Sequence, residues 1–181
     1  MTPRIAAVAT ALALGLAGCA AGVDPNAPQP EDSLALAVTP TLGGLTVKLS
    51  EKATQRVNRK AAERNTYLRE STVFELRTGK ELAAVFQVIR LSPDARTEDL
   101  EFRRSLVASI TQTSRAPLDV GGVPVYKATI NKQIVHVWFE ERFLQVLIVR
   151  SDAAAGGAFG PAIDVNRLLV ETLALELRPV S

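Results

Sequence analysis

The chain has 181 residues, of which 47% are hydrophobic and 22% are charged. This composition is that of an ordinary globular protein, and it excludes a disordered chain and a polytopic membrane protein. The net charge is +2, so the charge balance predicts no nucleic-acid partner. The single cysteine, Cys19, lies close to the N-terminus. Thiol catalysis and thiolate metal sites are therefore excluded from the rest of the chain.

The N-terminus has the pattern of an export signal. Arg4 gives a positive start, and residues 5–17 form an apolar run. This run is too short to span a bilayer, which needs about 20 residues, but it is typical of the core of a signal peptide. The run ends in four residues that resemble the lipobox of bacterial lipoproteins, Leu16-Ala17-Gly18-Cys19.

This resemblance implies that residues 1–18 are a lipoprotein signal peptide and that the Cys19 thiol is acylated. The acyl chains would hold the protein on the cell membrane, facing outside the cytoplasm, or on the outer membrane of a diderm cell. The alternative is an ordinary secretory signal that is cleaved nearby, with Cys19 incidental. Residues 19–32 contain the lipidated cysteine and a Pro-rich linker, which reaches only about 40 Å when extended. A single domain is predicted over residues 33–181, close to the membrane surface.

Two short strands, a helix and two longer strands are predicted in the first half of this domain. Gly43-Gly44 forms the turn between the short strands, and Ser50 is the predicted N-cap of the helix. The last of these strands is apolar on both faces, which predicts a central position in a sheet. The predicted ranges are 34–38 and 45–49 for the short strands, 50–68 for the helix, and 73–77 and 84–91 for the longer strands.

A helix, a series of strands and a final helix are predicted in the second half. Thr97 is the predicted cap of the first helix, and Asp164 that of the last helix, whose apolar face includes Leu177. Short polar turns separate β-branched and aromatic runs between the helices, which predicts consecutive antiparallel strands. The predicted ranges are 97–113 for the first helix and 118–120, 123–130, 133–139 and 143–151 for the strands.

The strands outnumber the helices, and each helix is apolar on one side only. The predicted fold class is therefore α+β, with an antiparallel sheet that contains a meander and with helices packed on one face, as a two-layer sandwich. The order of the elements resembles that of the Mog1/PsbP-like sandwiches found in some envelope lipoproteins. This resemblance rests on topology and not on a residue motif, and it implies the same architecture.

His136 is the only histidine of the chain, in the strand sequence IVHVWFE. Strand alternation places His136 and Trp138 on one face, and these two residues with Tyr126 form the candidate binding face. A zinc site needs further ligands, and the chain has neither a second histidine nor a cysteine in its folded part to provide them. The sequence therefore predicts no metal site and no cofactor. It also has no G-x-S-x-G elbow, so a hydrolase is the least favoured function.

The segment from residue 48 to residue 69 is net basic. One interpretation is contact with the anionic head groups of a nearby membrane. The other is a solvated helix face with mixed charges. The sequence leaves both open.

The leading interpretation of the function is a non-enzymatic binding or interaction domain, tethered to the envelope. Its predicted partners are membrane lipid, through the acylated Cys19, and an unknown envelope protein or small ligand. The alternatives are a structural or accessory subunit of an envelope complex and, less favoured, a hydrolase.

Overall fold

The computed structural model describes residues 34–36, 41–64, 67–113, 115–156, 162–175 and 177–179. Within these residues, eight strands form an antiparallel sheet, and two further strands pair with each other. The predicted α+β class, an antiparallel sheet with packed helices, is confirmed. The strands are β1 (Leu34–Leu36), β2 (Thr41–Leu42), β3 (Leu45–Leu49), β4 (Leu68–Thr78), β5 (Glu81–Leu91), β6 (Leu118–Val120), β7 (Val123–Ile130), β8 (Gln133–Glu140), β9 (Phe143–Arg150) and β10 (Leu177–Pro179), and the helices are α1 (Glu51–Arg64), α2 (Leu100–Thr111), α3 (Ser151–Ala155) and α4 (Val165–Leu173).

The strand order in the large sheet is β2-β3-β4-β5-β9-β8-β7-β6. Strands β6 to β9 are neighbours in the order of the sequence, so the predicted meander is confirmed. Strand β5 lies between β4 and β9, which confirms the central position predicted from its two apolar faces. Strands β1 and β10 pair antiparallel, with Leu36 opposite Leu177. The prediction that Leu177 belongs to the last helix is therefore wrong, because α4 ends at Leu173.

Two-residue turns set the register of the meander. Asn131 and Lys132, between β7 and β8, both have positive φ angles, 48° and 61°. Positive φ at both central residues is the conformation of a type I′ turn, whose twist matches that of the flanking strands. The resulting register places Ile130 opposite Gln133 and continues to Tyr126 opposite Val137.

The sheet has an apolar core on each face. The face that packs against Val57 of α1 and Val107 of α2 is called the α1 face here. The face that packs against Ala153 of α3 and Leu168 of α4 is called the α4 face. The helices are thus divided between the two faces, and not gathered on one as the sequence suggested. The reason is that the central strands are apolar on both faces, so both need a cover.

Helix α1 takes the place of a strand along part of β4. Strand β3 pairs with β4 only as far as Leu49 opposite Phe74, and Ser50 then donates a backbone hydrogen bond to the carbonyl of Val73 (2.8 Å). Beyond this point, side chains of α1 replace the backbone of β3 as hydrogen-bond partners of the β4 backbone. The Val73 N–H donates to the Thr54 hydroxyl, at 3.0 Å.

Asn58, one helical turn further along α1, completes the substitution. Its Oδ1 accepts a hydrogen bond from the Ser71 N–H at 2.7 Å, and its Nδ2 donates to the Ser71 carbonyl at 3.1 Å. The spacing fits because four helical residues advance about 6 Å and two strand residues about 6.6 Å. Thr54 and Asn58 therefore meet alternate residues of β4, and the exposed edge of the strand is closed.

The ends of the other helices confirm one predicted cap and correct another. Asp164 accepts a hydrogen bond from the Arg167 N–H at 3.0 Å, as predicted. Helix α2 is capped by Asp99, whose Oδ1 accepts from the N–H groups of the second and third residues of the helix. The prediction of Thr97 as the cap is therefore wrong by two residues. The reason is that Asp99 directly precedes the first residue of the helix, Leu100, and offers a carboxylate as the hydrogen-bond acceptor.

Candidate functional site

Cys19 and the rest of the predicted signal peptide and linker lie outside the described residues. Acylation at this position, and the domain boundary at residue 33, therefore stay predictions. Within the described part of the chain, no helix is long and apolar enough to cross a membrane.

The structure does not bring together the three residues of the candidate binding face. Tyr126 lies opposite Val137 in the β7–β8 register, so its side chain lies on the α1 face, with 6% exposed. His136 and Trp138 lie on the α4 face, with 2% and 1% exposed. The prediction that Tyr126 shares a face with the other two is wrong. Residues that lie opposite each other on neighbouring strands point to the same face, and the β7–β8 turn sets Tyr126 opposite Val137 and not opposite His136 or Trp138. All three side chains are core residues.

Trp138 belongs to a row of aromatic rings across the α4 face. Its ring and that of Phe86 are stacked, with centroids 6.0 Å apart and planes 10° from parallel. Phe86 stacks in turn against Phe74, with centroids 6.2 Å apart. These separations lie in the range where aromatic pairs attract beyond their buried area. The row connects β4, β5 and β8 through side chains.

His136 is a buried, neutral imidazole in this core. Its cross-strand neighbours are Leu147 on β9 and Lys127 on β7. Burial and, to a smaller extent, the positive charge of Lys127 together lower the pKa of His136 to about 4. Nδ1 of His136 is buried and has no hydrogen-bond partner within the described residues. At neutral pH the side chain therefore adds no charge to the core.

A second polar residue, which the sequence analysis did not single out, lies beside Trp138 on the same face. Gln145 on β9 is opposite Trp138 and is 1% exposed. Its Nε2 donates to Oε2 of Glu140 at 2.5 Å, whereas its Oε1 is buried without a partner among the described residues. The sequence signal that could have identified this residue is a glutamine inside the otherwise apolar strand FLQVLIVR. Most buried polar atoms in proteins are hydrogen-bonded, so the imidazole nitrogen of His136 and this amide oxygen are exceptions to that rule on the α4 face.

The basic segment of residues 48–69 is divided among three elements. It begins at the end of β3, includes all of α1 and ends at the start of β4. The prediction of a helix up to Leu68 is wrong, because α1 ends at Arg64 and Leu68 is the first residue of β4. Lys52 and Arg59 of α1 are exposed, and Arg56 and Lys60 are half-buried. The basic surface is thus a helix surface.

The described residues contain no group of three or more histidine, cysteine, aspartate or glutamate side chains that could hold a metal ion. Comparison with known proteins gives no family: no protein-family model, no curated protein and no solved structure matches the chain.

Proposed function

We propose that this chain is a bacterial envelope lipoprotein, anchored by acyl chains on Cys19, whose folded part is a non-enzymatic binding domain. The observation that carries the proposal is the position of the only cysteine. It follows an apolar run of signal-peptide length and occupies the last position of a lipobox-like sequence, LAGC.

The physical properties of such an anchor agree with the rest of the sequence. Thioether-linked diacylglycerol supplies two acyl chains, and two chains give stable membrane binding where a single chain gives only marginal binding. The Pro-rich segment of residues 20–32 contains three prolines among small and polar residues. It would act as an extended spacer between the membrane and the first strand.

The surroundings of His136 support a binding domain over a hydrolase. A catalytic imidazole is normally oriented by a carboxylate, which also stabilises its protonated form. The charged residue that influences the pKa of His136 is Lys127, a cation that opposes protonation. Together with burial, this keeps the imidazole neutral at neutral pH.

The decisive experiment on the anchor compares the wild-type chain with two variants expressed in a lipoprotein-processing bacterium. Cys19→Ser removes the thiol, and the double variant Cys19→Ser/Ala20→Cys keeps one thiol but moves it by one residue. The measured quantities are incorporation of a labelled fatty acid and partition in Triton X-114.

We expect the wild-type chain to be labelled and to enter the detergent phase, and neither variant to be labelled. The shifted cysteine is the matched control, because an enzyme that reads the lipobox requires the thiol at position 19. An unlabelled wild-type protein would reject the proposal. So would a processed Cys19→Ser protein that still enters the detergent phase.

The binding class is tested by crosslinking the mature protein in its membrane and identifying attached proteins and lipids by mass spectrometry. Attached lipid or a small ligand supports the binding domain. One dominant protein partner at fixed stoichiometry would favour the alternative, an accessory subunit of an envelope complex.

A further inference from the structure

Helix α1 carries the net positive charge of the molecule. Residues 51–64 contain five lysines and arginines against two glutamates, a net charge of +3, whereas the whole chain carries +2. The other residues together are therefore net −1. The charges of the other residues thus nearly cancel, and the net positive charge is that of one helix.

Four of the five cations of α1 form a stripe along the outer side of the helix. Lys52, Arg56, Arg59 and Lys60 are separated by four, three and one residues, a spacing that keeps them on one side of a helix. These four residues are called the basic stripe below. The acidic residues of α1 are Glu51 and Glu63. Glu51 lies in the first turn, where a negative charge is favoured by the helix dipole, and Glu63 follows Arg59 by four residues and Lys60 by three.

Five arginines of the described residues take part in ion pairs, for example Arg77 with Glu75 and Arg104 with Glu101, and none of the five belongs to the basic stripe. The side chains of Lys52 and Arg59 are exposed, so an external anion can reach them.

The opposite side of α1 fixes the direction of the stripe. Val57 is 4% exposed and packs into the core of the α1 face. Thr54 and Asn58 are hydrogen-bonded to the backbone of β4. These contacts prevent the helix from rotating, so the stripe points away from the sheet.

The chain enters the sheet at the same end at which α1 lies. The first strand of the large sheet, β2, is its edge strand, and β3 and β4 follow it in order. Helix α1 packs on β4. The large sheet therefore begins at the edge near which α1 packs.

We infer that the basic stripe of α1 lies on the anionic lipid head groups of the membrane to which Cys19 is anchored. This inference rests on the proposed lipoprotein anchor. A basic residue close to an anionic membrane surface strengthens binding by about fivefold. Four such residues, acting together with the anchor, hold the domain down on the bilayer with α1 facing the lipid.

The test uses the mature, acylated protein in vesicles, with a fluorescent label on one added cysteine. Since Cys19 is acylated, the added cysteine is the free thiol of the protein. Gln55→Cys places the label on the exposed side of α1, and Asn166→Cys places it on exposed surface of α4, which packs on the other face of the sheet. Quenching by a water-soluble quencher is compared in phosphatidylcholine vesicles and in vesicles that also contain phosphatidylglycerol.

We expect the label at position 55 to be protected from the quencher only in the anionic vesicles, and protection to be lost at high salt. The label at position 166 should be quenched equally in both. Lys52→Gln/Arg59→Gln should weaken the contact with the anionic vesicles by roughly 25-fold, about fivefold for each residue, and so reduce the protection. The matched control, Lys80→Gln/Lys132→Gln, removes the same charge from two exposed hairpin turns and should leave the protection unchanged.

Two results would overturn the inference, and they differ. If the protein does not float with neutral vesicles, the anchor itself is refuted, and the inference falls with it. If the protein floats but the label at position 55 is quenched equally in both kinds of vesicle, the anchor stands and the contact through α1 is refuted. Equal unfolding temperatures of the wild-type and variant proteins exclude a folding defect as the cause.

Discussion

Replacement of Asn58 by leucine tests how α1 is held on the sheet. The asparagine side chain makes two hydrogen bonds with the backbone of Ser71, one to its N–H and one to its carbonyl. Leucine is similar in size but makes neither bond. Because Ser71 is 1% exposed, its backbone groups would be left with little access to water.

The magnitude follows from these two groups. A buried backbone group left without a partner costs about 1–3 kcal/mol. Since Asn58 itself is only half-buried, water recovers part of this cost, and we expect a loss of about 2–4 kcal/mol in the free energy of unfolding. For a domain of this size each kcal/mol lowers the unfolding temperature by about 2–4 °C, which gives a decrease of about 5–15 °C.

The assay is urea unfolding followed by circular dichroism, with Gln55→Leu as the control. Gln55 is exposed on the same helix, so its replacement should change the stability by less than about 0.5 kcal/mol. If Asn58→Leu is as stable as this control, the reasoning that α1 substitutes for a strand is refuted. Asn58→Asp adds a second test, because aspartate keeps the acceptor for the Ser71 N–H but sets a carboxylate oxygen against the Ser71 carbonyl. Its deficit relative to the wild type should shrink as the pH falls and the carboxylate takes up a proton.

Two further predictions concern the other side of the sheet. Gly43 and Gly44 both have positive φ, but a Cβ at Gly43 would lie 3.0 Å from Cβ of Leu168, whereas one at Gly44 meets nothing within 4 Å. Gly44→Ala should therefore cost about 1–2 kcal/mol, and Gly43→Ala about 1–3 kcal/mol more from overpacking against α4. Equal urea midpoints for the two variants would show that this contact does not matter. The lowered pKa of His136, about 4, predicts that the unfolded chain takes up a proton that the folded chain does not, as the pH falls from about 6.5 to about 4. Stability should therefore fall by roughly 2–3 kcal/mol across that window, and His136→Leu should lose less; an unchanged pH dependence of unfolding in the variant would contradict this.

The parts of the fold that depend on local signals could be predicted from the sequence. The Asn131-Lys132 turn between two β-branched runs contains all the information needed for a hairpin. Both faces of the segment from Ala84 to Leu91 are apolar, and this was enough to place the strand in the centre of the sheet. A strand exposes no apolar side chains to water only when both of its faces are covered.

The parts that depend on distant residues could not be predicted. Whether Tyr126 shares a face with His136 is decided by the register between two strands, and a shift of one residue reverses the answer. The apolar side of each helix shows that it packs on the sheet, but not on which face. The sequence contains no signal for the role of Thr54 and Asn58, because that role is visible only once β4 is known to have no strand beside it at Ser71 and Val73.

The most direct test of the central claim is mass spectrometry of the N-terminal peptide of the mature protein, purified from its native membrane. The lipoprotein account predicts a peptide that begins at Cys19 and carries a thioether-linked diacylglycerol, with or without an amide-linked acyl chain. A mature chain that begins beyond residue 19, or that begins with an unmodified Cys19, would contradict it.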